Sequence, residues 1–270
     1  MDFQMIKKSR GLKNMKQQKN LKRFLEMILK GKCKLIKTRR NMKPKFVKTK
    51  NVKNFITMTT NLQTRAEGVP GMVLVYGEPG LGKTQTALWW VANHQSDAIY
   101  VSAKQSMSTR WLLEEITKEL GDTPSYRTSE LFDQIVRELI RKPRIIIVDE
   151  IDYLTQEKSA IEMLRDIHDR THTPIILIGM SLADKKLKRY KHLYYRLSEI
   201  LHYQPFLKDD VKNLITELSE VKFDDNAIEY VYKSGNRFRQ LVKIINKAET
   251  FAKSNDIDEI HIKDVQLLSQ

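Results

Sequence analysis

One octapeptide constrains this chain more than any other feature. Residues 77–84 read Gly77-Glu78-Pro79-Gly80-Leu81-Gly82-Lys83-Thr84, between the apolar run 72–76 and the helix-compatible run 85–93. A glycine, four variable residues and then Gly-Lys-Thr, placed between a strand and a helix, is the pattern of a phosphate-binding loop. The glycines open backbone conformations closed to other residues, so successive N–H groups turn toward phosphate oxygens. The start of the following helix adds a partial positive charge. Residues Gly77, Glu78, Pro79, Gly80, Leu81, Gly82, Lys83, Thr84 and Gln85 are therefore expected to hold a nucleoside triphosphate. In that arrangement Lys83 reaches the β- and γ-phosphates and the Thr84 hydroxyl ligates Mg2+.

Charge divides the chain in two. Of 48 basic and 33 acidic residues, 19 and 2 fall in residues 1–53, a net of +17, which leaves 29 and 31 beyond, a net of −2. Such a block reads as a basic, largely disordered tail (residues 1–50) able to bind nucleic acid through phosphates, or as a solvated arm with no fixed partner. Within it Leu21, Phe24, Leu25, Ile28 and Leu29 recur at helical spacing. That short helix suits a partner or an anionic membrane less well than it suits DNA. Met42 is an alternative native start.

The single Cys33 excludes an internal disulfide, and no apolar run approaches the roughly 20 residues of a membrane span. The N-terminus also lacks the continuous apolar segment of a secretory signal. A cytoplasmic protein with no membrane partner is the expectation. The 41% hydrophobic content is enough for a substantial core.

From residue 52 the pattern becomes globular. Val52, Phe55, Ile56 and the run 58–62 predict a helix before the turn Gly68-Val69-Pro70-Gly71. A strand at 72–76 feeds the loop, and the helix at 85–93 carries Trp89 and Trp90 as packing residues. A strand is expected at 98–102, then helices at 109–120 and 129–141, the last ended by Pro143.

Four aliphatic residues, Ile145 to Val148, then precede Asp149-Glu150. A continuous apolar run is what a parallel strand buried on both faces looks like, and its carboxyl end is where ligands bind in open α/β sheets. Asp149 is placed to hold Mg2+ and Glu150 to orient or deprotonate an attacking water. A helix at 156–171 and a buried strand at 175–179 complete the alternation expected of an α/β, doubly wound parallel sheet. Four helical segments follow, at 208–218, 224–233, 237–253 and 261–268. The six histidines lack zinc-ligand spacing and supporting cysteines.

Residues 77–84, 145–150 and 175–181 with the helical C-terminus resemble the AAA+ superfamily. Asp149-Glu150-Ile151-Asp152-Tyr153-Leu154, the run 174–180, and Tyr195-Arg196-Leu197 before Tyr203-Gln204-Pro205-Phe206 are similar to its transposition-associated branch, that of phage Mu B protein and Tn7-like target selectors. The resemblance covers about residues 50–268. It implies an AAA+ P-loop NTPase domain at 51–204, a small all-helical lid at 205–270, and ATP with Mg2+ as cofactors. It makes Ser181 a sensor of the γ-phosphate or water, although Met180 stands where a polar residue is more usual. Arg196 becomes the arginine finger, with Arg189 as the alternative. Arg239 becomes the lid arginine at the nucleotide, with Arg237 as the alternative.

The resemblance further implies a homo-oligomer, a ring or filament, on duplex DNA with a transposase partner, and slow, partner-stimulated hydrolysis. Lys104 and Arg110 are the expected core contacts to DNA, with Lys185, Lys186 and Lys188 second. A helicase loader or replication initiator of the same superfamily, and a nucleotide-switched DNA-binding scaffold, stay open as alternatives.

Overall fold

The computed structural model describes residues 45–235 and 237–268. The helix expected near residues 21–29 and the alternative start at Met42 lie outside them. The described residues belong to one compact unit, Asn41–Gln270.

Helix α1 (Lys50–Gln63) buries Val52, Phe55, Met58 and Leu62, one stripe at three- and four-residue spacing. Strand β1 (Met72–Gly77) runs into the loop, and α2 (Lys83–Asn93) leaves it. Then follow β2 (Ala98–Ser102), α3 (Thr109–Leu120), α4 (Thr128–Arg141) and β3 (Ile145–Asp149). The helix expected from residue 156 is split, because a 3-10 turn at Ile151–Gln156 precedes α5 (Lys158–Thr171). Strand β4 (Ile175–Gly179) leads to two short helices, α6 (Ala183–Leu187) and α7 (Lys191–Tyr194), and then to a fifth strand, β5 (Leu197–Tyr203).

The five strands are parallel in the order β2-β3-β4-β1-β5. Alternation along each strand supplies two cores. Met72, Leu74, Val101, Ile146, Val148, Ile175 and Leu177 face α3, α4 and α5. Val73, Val75, Ile145, Ile147, Ile176 and Ile178 face α1 and α2, where Phe55 and Trp90 fill the layer. The doubly wound parallel sheet is thus present.

The lid consists of α8 (Lys208–Leu218), α9 (Asp225–Ser234), α10 (Phe238–Ser254) and α11 (Ile262–Leu268) around its own core, including Val211, Leu214, Ile228, Leu241 and Ile245. It is not purely helical. Lys222–Phe223 (β6) and Glu259–Ile260 (β7) pair as a two-residue parallel ladder. Asp224 caps α9, accepting from the Ala227 amide at 2.5 Å.

The tail boundary expected at residue 50 moves earlier. Residues 45–49 pack as a strap: Phe46 stacks on Trp89 at 4.4 Å, Val47 enters the lid core, and Thr49 is buried. Lys45 pairs with Glu217 of α8. The N-terminus of α1 is capped from the lid, as the Lys50 amide donates to Asp210 Oδ1 at 2.8 Å. Asn51 fixes the connection after β5 by bonding both the carbonyl (2.8 Å) and the amide (3.2 Å) of Gln204.

Candidate functional site

The loop 77–84 lies at the carboxyl end of β1, wedged between β5 and the lid. Gly77 meets the Tyr203 carbonyl so closely that a Cβ there would fall 2.7 Å from the oxygen. Gly82, at φ +90°, turns the chain into α2 through the left-handed region, where a side chain is strained. Leu81 points the opposite way and is buried in the α1–α2 core, anchoring the loop. Pro79 and Gly80 form the tip of the loop, and Gly80 faces the lid. Thr84 is half-buried on the first turn of α2 beside the exposed Gln85.

Lys83 folds over this cradle. Its ammonium donates to the carbonyls of Gly77 (2.7 Å) and Glu78 (2.9 Å). Burial pulls its pKa down, against the opposing pull of Asp149, Glu150, Asp152 and Glu78. Four acids and one lysine thus share a partly desolvated space at the ends of β1 and β3.

Asp149 is 3% exposed, and both of its oxygens are held. Oδ1 accepts the Glu150 amide and Oδ2 the Tyr100 hydroxyl, each at 2.7 Å. Burial, then the charge of Asp149, raises the Tyr100 pKa, so the phenol stays a donor. Glu150 has left-handed backbone (φ 57°, ψ 38°), which aims a non-glycine residue out of the strand line at a local cost. Burial, then Asp149 and Asp152, raise its carboxyl pKa, while Lys83 opposes them. A carboxylate so raised is a stronger base than a solvated one.

Asp152 links this strand end to the next. Its Oδ2 accepts the Met180 amide at 2.6 Å and its Oδ1 pairs with Lys186 at 2.9 Å. The exposed Ser181 follows directly, so its position is set from the acidic strand end through Asp152.

The arginines separate into two groups. Arg237 precedes α10 and stands 3.5 Å from the Glu78 carboxylate. A Cβ on Gly80 would lie 3.8 Å from those of both Arg237 and Arg239. Both lid arginines therefore approach the loop, and Arg237 rather than the favoured Arg239 makes the ionic contact.

Arg196 stands elsewhere, at the start of β5, where its carbonyl accepts the Met72 amide at 3.1 Å. That is the end of the sheet opposite the loop, about 17 Å away by strand rise. Its guanidinium forms a two-point pair with Asp169, Nε to Oδ1 and Nη2 to Oδ2 at 3.0 Å each. It lines a cavity of about 590 Å3 with Arg65, His168 and His172. Arg189 is exposed, and no side-chain hydrogen bond or ion pair holds it among the described residues.

The two expected DNA contacts are engaged within the chain. Lys104 lies over Trp111 (5.0 Å) and 3.8 Å from Glu115. Arg110 pairs with Glu114 at 2.9 Å and donates to the carbonyl of Tyr126, pinning the loop before α4. Of the second group, Lys186 and Lys188 pair with Asp152 and Asp184.

Tyr100, Asp152 and His168 carry roles that sequence reading did not assign. His168 is buried and accepts the Gly71 amide at Nε2 (3.2 Å), while its Nδ1 bonds the Thr173 carbonyl (2.8 Å). A β2 tyrosine two residues before the strand end was the available signal for Tyr100, because strand pairing places it diagonally from Asp149.

The loop and its surroundings suit a Mg2+ nucleotide by their donors: a glycine cradle, an ammonium within it, a threonine hydroxyl on the first turn of α2 and one buried carboxylate at the end of β3. No cluster of three or more His, Cys, Asp or Glu side chains able to hold a metal occurs among the described residues, so water and phosphate oxygens would complete the shell of a Mg2+ ion bound here. Also among the described residues, no helix is long and apolar enough to cross a membrane.

The chain is similar to known proteins. The family model of the AAA domain matches residues 66–187. A potential ATP-binding protein of Staphylococcus aureus is 29% identical over 130 residues, 48% of this chain and 43% of that one. The Mu-like prophage FluMu DNA transposition protein B of Haemophilus influenzae is 26% identical over 167 residues, 58% of this chain and 57% of that one. The match thus spans about half the length of these two relatives. The Aeropyrum pernix ORC1 protein, solved in complex with DNA, superposes with a TM-score of 0.59 at 17% identity, over 80% of this chain and 63% of that one.

Proposed function

We propose, for a chain that is an AAA+ P-loop protein of the transposition-associated type, that ATP binding drives its assembly on duplex DNA and that the assembly delivers or selects target DNA for a transposase. The observation that carries this reading is the division of the site. Lys83, Asp149 and Glu150 gather at one end of the sheet, while Arg196 lies at the opposite end beside Asp169, where it would serve the site of a second copy rather than its own.

In this reading the loop 77–84 and Thr84 hold the triphosphate, and Lys83 exchanges the carbonyls of Gly77 and Glu78 for phosphate oxygens. Mg2+, held by Thr84 and Asp149, would supply charge neutralisation at the phosphates. Glu150, half-buried and raised in basicity, takes the proton of the attacking water. Arg237, with Arg239 beside it, senses the nucleotide from the lid, and Ser181 does so from β4. The cation from the neighbour is Arg196 or Arg189. Arg189 is free to act at once, whereas Arg196 must first leave Asp169.

DNA contact is through phosphates and is salt-sensitive. Lys104 and Arg110 remain the core candidates, with the basic tail beside them. Alanine at Arg110 also frees the loop at Tyr126, so its effect on DNA is interpretable only beside an unchanged melting curve.

Particle size measured with ATP, with ADP and with no nucleotide tests the reading. ATP-specific growth that Lys83→Ala abolishes is expected, and identical sizes in all three states would remove the assembly claim. The fold shared with the ORC1 protein keeps a second reading in play, a replication initiator or helicase loader. Capture of a replicative helicase in place of a transposase would favour it.

A further inference from the structure

Strands β2 and β3 pair with Tyr100 opposite Ile147 and Ser102 opposite Asp149. Tyr100 therefore stands one diagonal step from Asp149 on the same face of the sheet, within reach for a long side chain. Its hydroxyl is 2.7 Å from Asp149 Oδ2, and the Glu150 amide is 2.7 Å from Oδ1. A carboxylate offers about four acceptor sites, so these two donors fix its plane and leave others unused. The terminal torsion of an aspartate is otherwise broad.

We propose that Tyr100 is a positioning residue for the metal shell: its hydroxyl sets the rotation of the Asp149 carboxylate and so the affinity of the nucleotide-loaded protein for Mg2+. The inference rests on the reading of Asp149 as the acid that serves Mg2+. Asp149 is almost fully buried, so its second oxygen has no bulk water to replace a lost hydroxyl. Partners that orient a metal ligand from behind commonly change metal affinity by about 10- to 100-fold. Tyr100 is part-buried, and a phenyl ring would fill the same space. Packing and hydrogen bonding are thus separable here by one atom.

The experiment uses the full chain, a fluorescent ATP analogue and Mg2+ titration. In Tyr100→Phe, analogue binding in EDTA is expected to equal wild type, while the Mg2+ concentration giving half the metal-dependent signal rises about 10-fold. In an Asp149→Ala background the same substitution is expected to change nothing further. An unchanged Mg2+ midpoint, or an equal loss in EDTA, overturns the proposal. If wild type binds no analogue at all, the phosphate-loop reading fails instead. Where the phenylalanine variant melts too low, Tyr100→Met fills much of the space without a donor. A raised Mg2+ midpoint with unchanged binding in EDTA then supports the proposal, and a wild-type midpoint overturns it.

Discussion

Arg237 of the lid faces Glu78 of the phosphate loop at 3.5 Å, so one ion pair spans the junction on which a nucleotide would act. Both side chains are more than two-fifths exposed, and such a pair contributes about 0–1 kcal/mol to folding. Its weakness suits a contact that exchanges partners. Arg237→Ala is expected to weaken ATP-analogue binding about 10-fold, with the melting temperature nearly unchanged. A larger loss from Arg239→Ala would return the lid role to that residue.

Glu150→Gln removes the proton acceptor and preserves the side-chain volume. Turnover should fall by about 100-fold or more while analogue affinity holds, leaving the ATP-dependent assembly long-lived. Wild-type turnover in this variant would take Glu150 out of the chemistry and favour a nucleotide-switched scaffold.

His168 gives the fold a pH dependence with a definite sign. Burial lowers its pKa below the usual histidine value, and accepting the Gly71 amide at Nε2 requires the neutral ring. A depressed folded pKa means that the unfolded chain binds the proton more readily. The stabilisation is therefore complete above about pH 6.5 and is lost as pH falls through the lower, folded value. Melting curves at pH 8 and pH 5.5 should converge between wild type and His168→Ala at the acidic end. A constant difference between the two proteins would contradict this.

Glu119, on α3, has the opposite sign. Burial and then Glu115 push its carboxyl up to about 7. Between the ordinary carboxylate value and 7 the folded chain holds the extra proton, so stability declines as pH rises through that window. Glu119→Gln should stabilise the protein at pH 8, by an amount on the order of 2 kcal/mol, and have no effect near pH 4. An equal gain at both pH values would assign the effect to packing.

Much of the fold was legible because its strands are buried on both faces. Residues 72–76, 145–148 and 175–178 are continuous aliphatic or near-aliphatic runs, and the loop and acid pair mark their carboxyl ends. Strand β5 was not legible for the converse reason: it lies at a sheet edge, and Ser198, Glu199 and His202 are exposed. Helices α6 and α7 span five and four residues, too few for periodicity to register.

Site residues defined by motif were readable, whereas those defined by register were not. Lys83 and Asp149 follow from spacing along the chain. Tyr100 depends on which strand lies beside β3, and the choice between Arg237 and Arg239 depends on how the lid is set. Residues 45–49 looked like the end of a charged arm, because Phe46 and Val47 show their purpose only against Trp89 and the lid core.

The left-handed backbone at Glu150 puts folding and chemistry at odds within one residue. Glycine would relax the turn, and glutamate strains it while supplying the carboxylate. On the role proposed for Glu150, position 150 is a place where the chain most comfortable as a fold would be inert as a catalyst, and selection for robustness alone would erase the site.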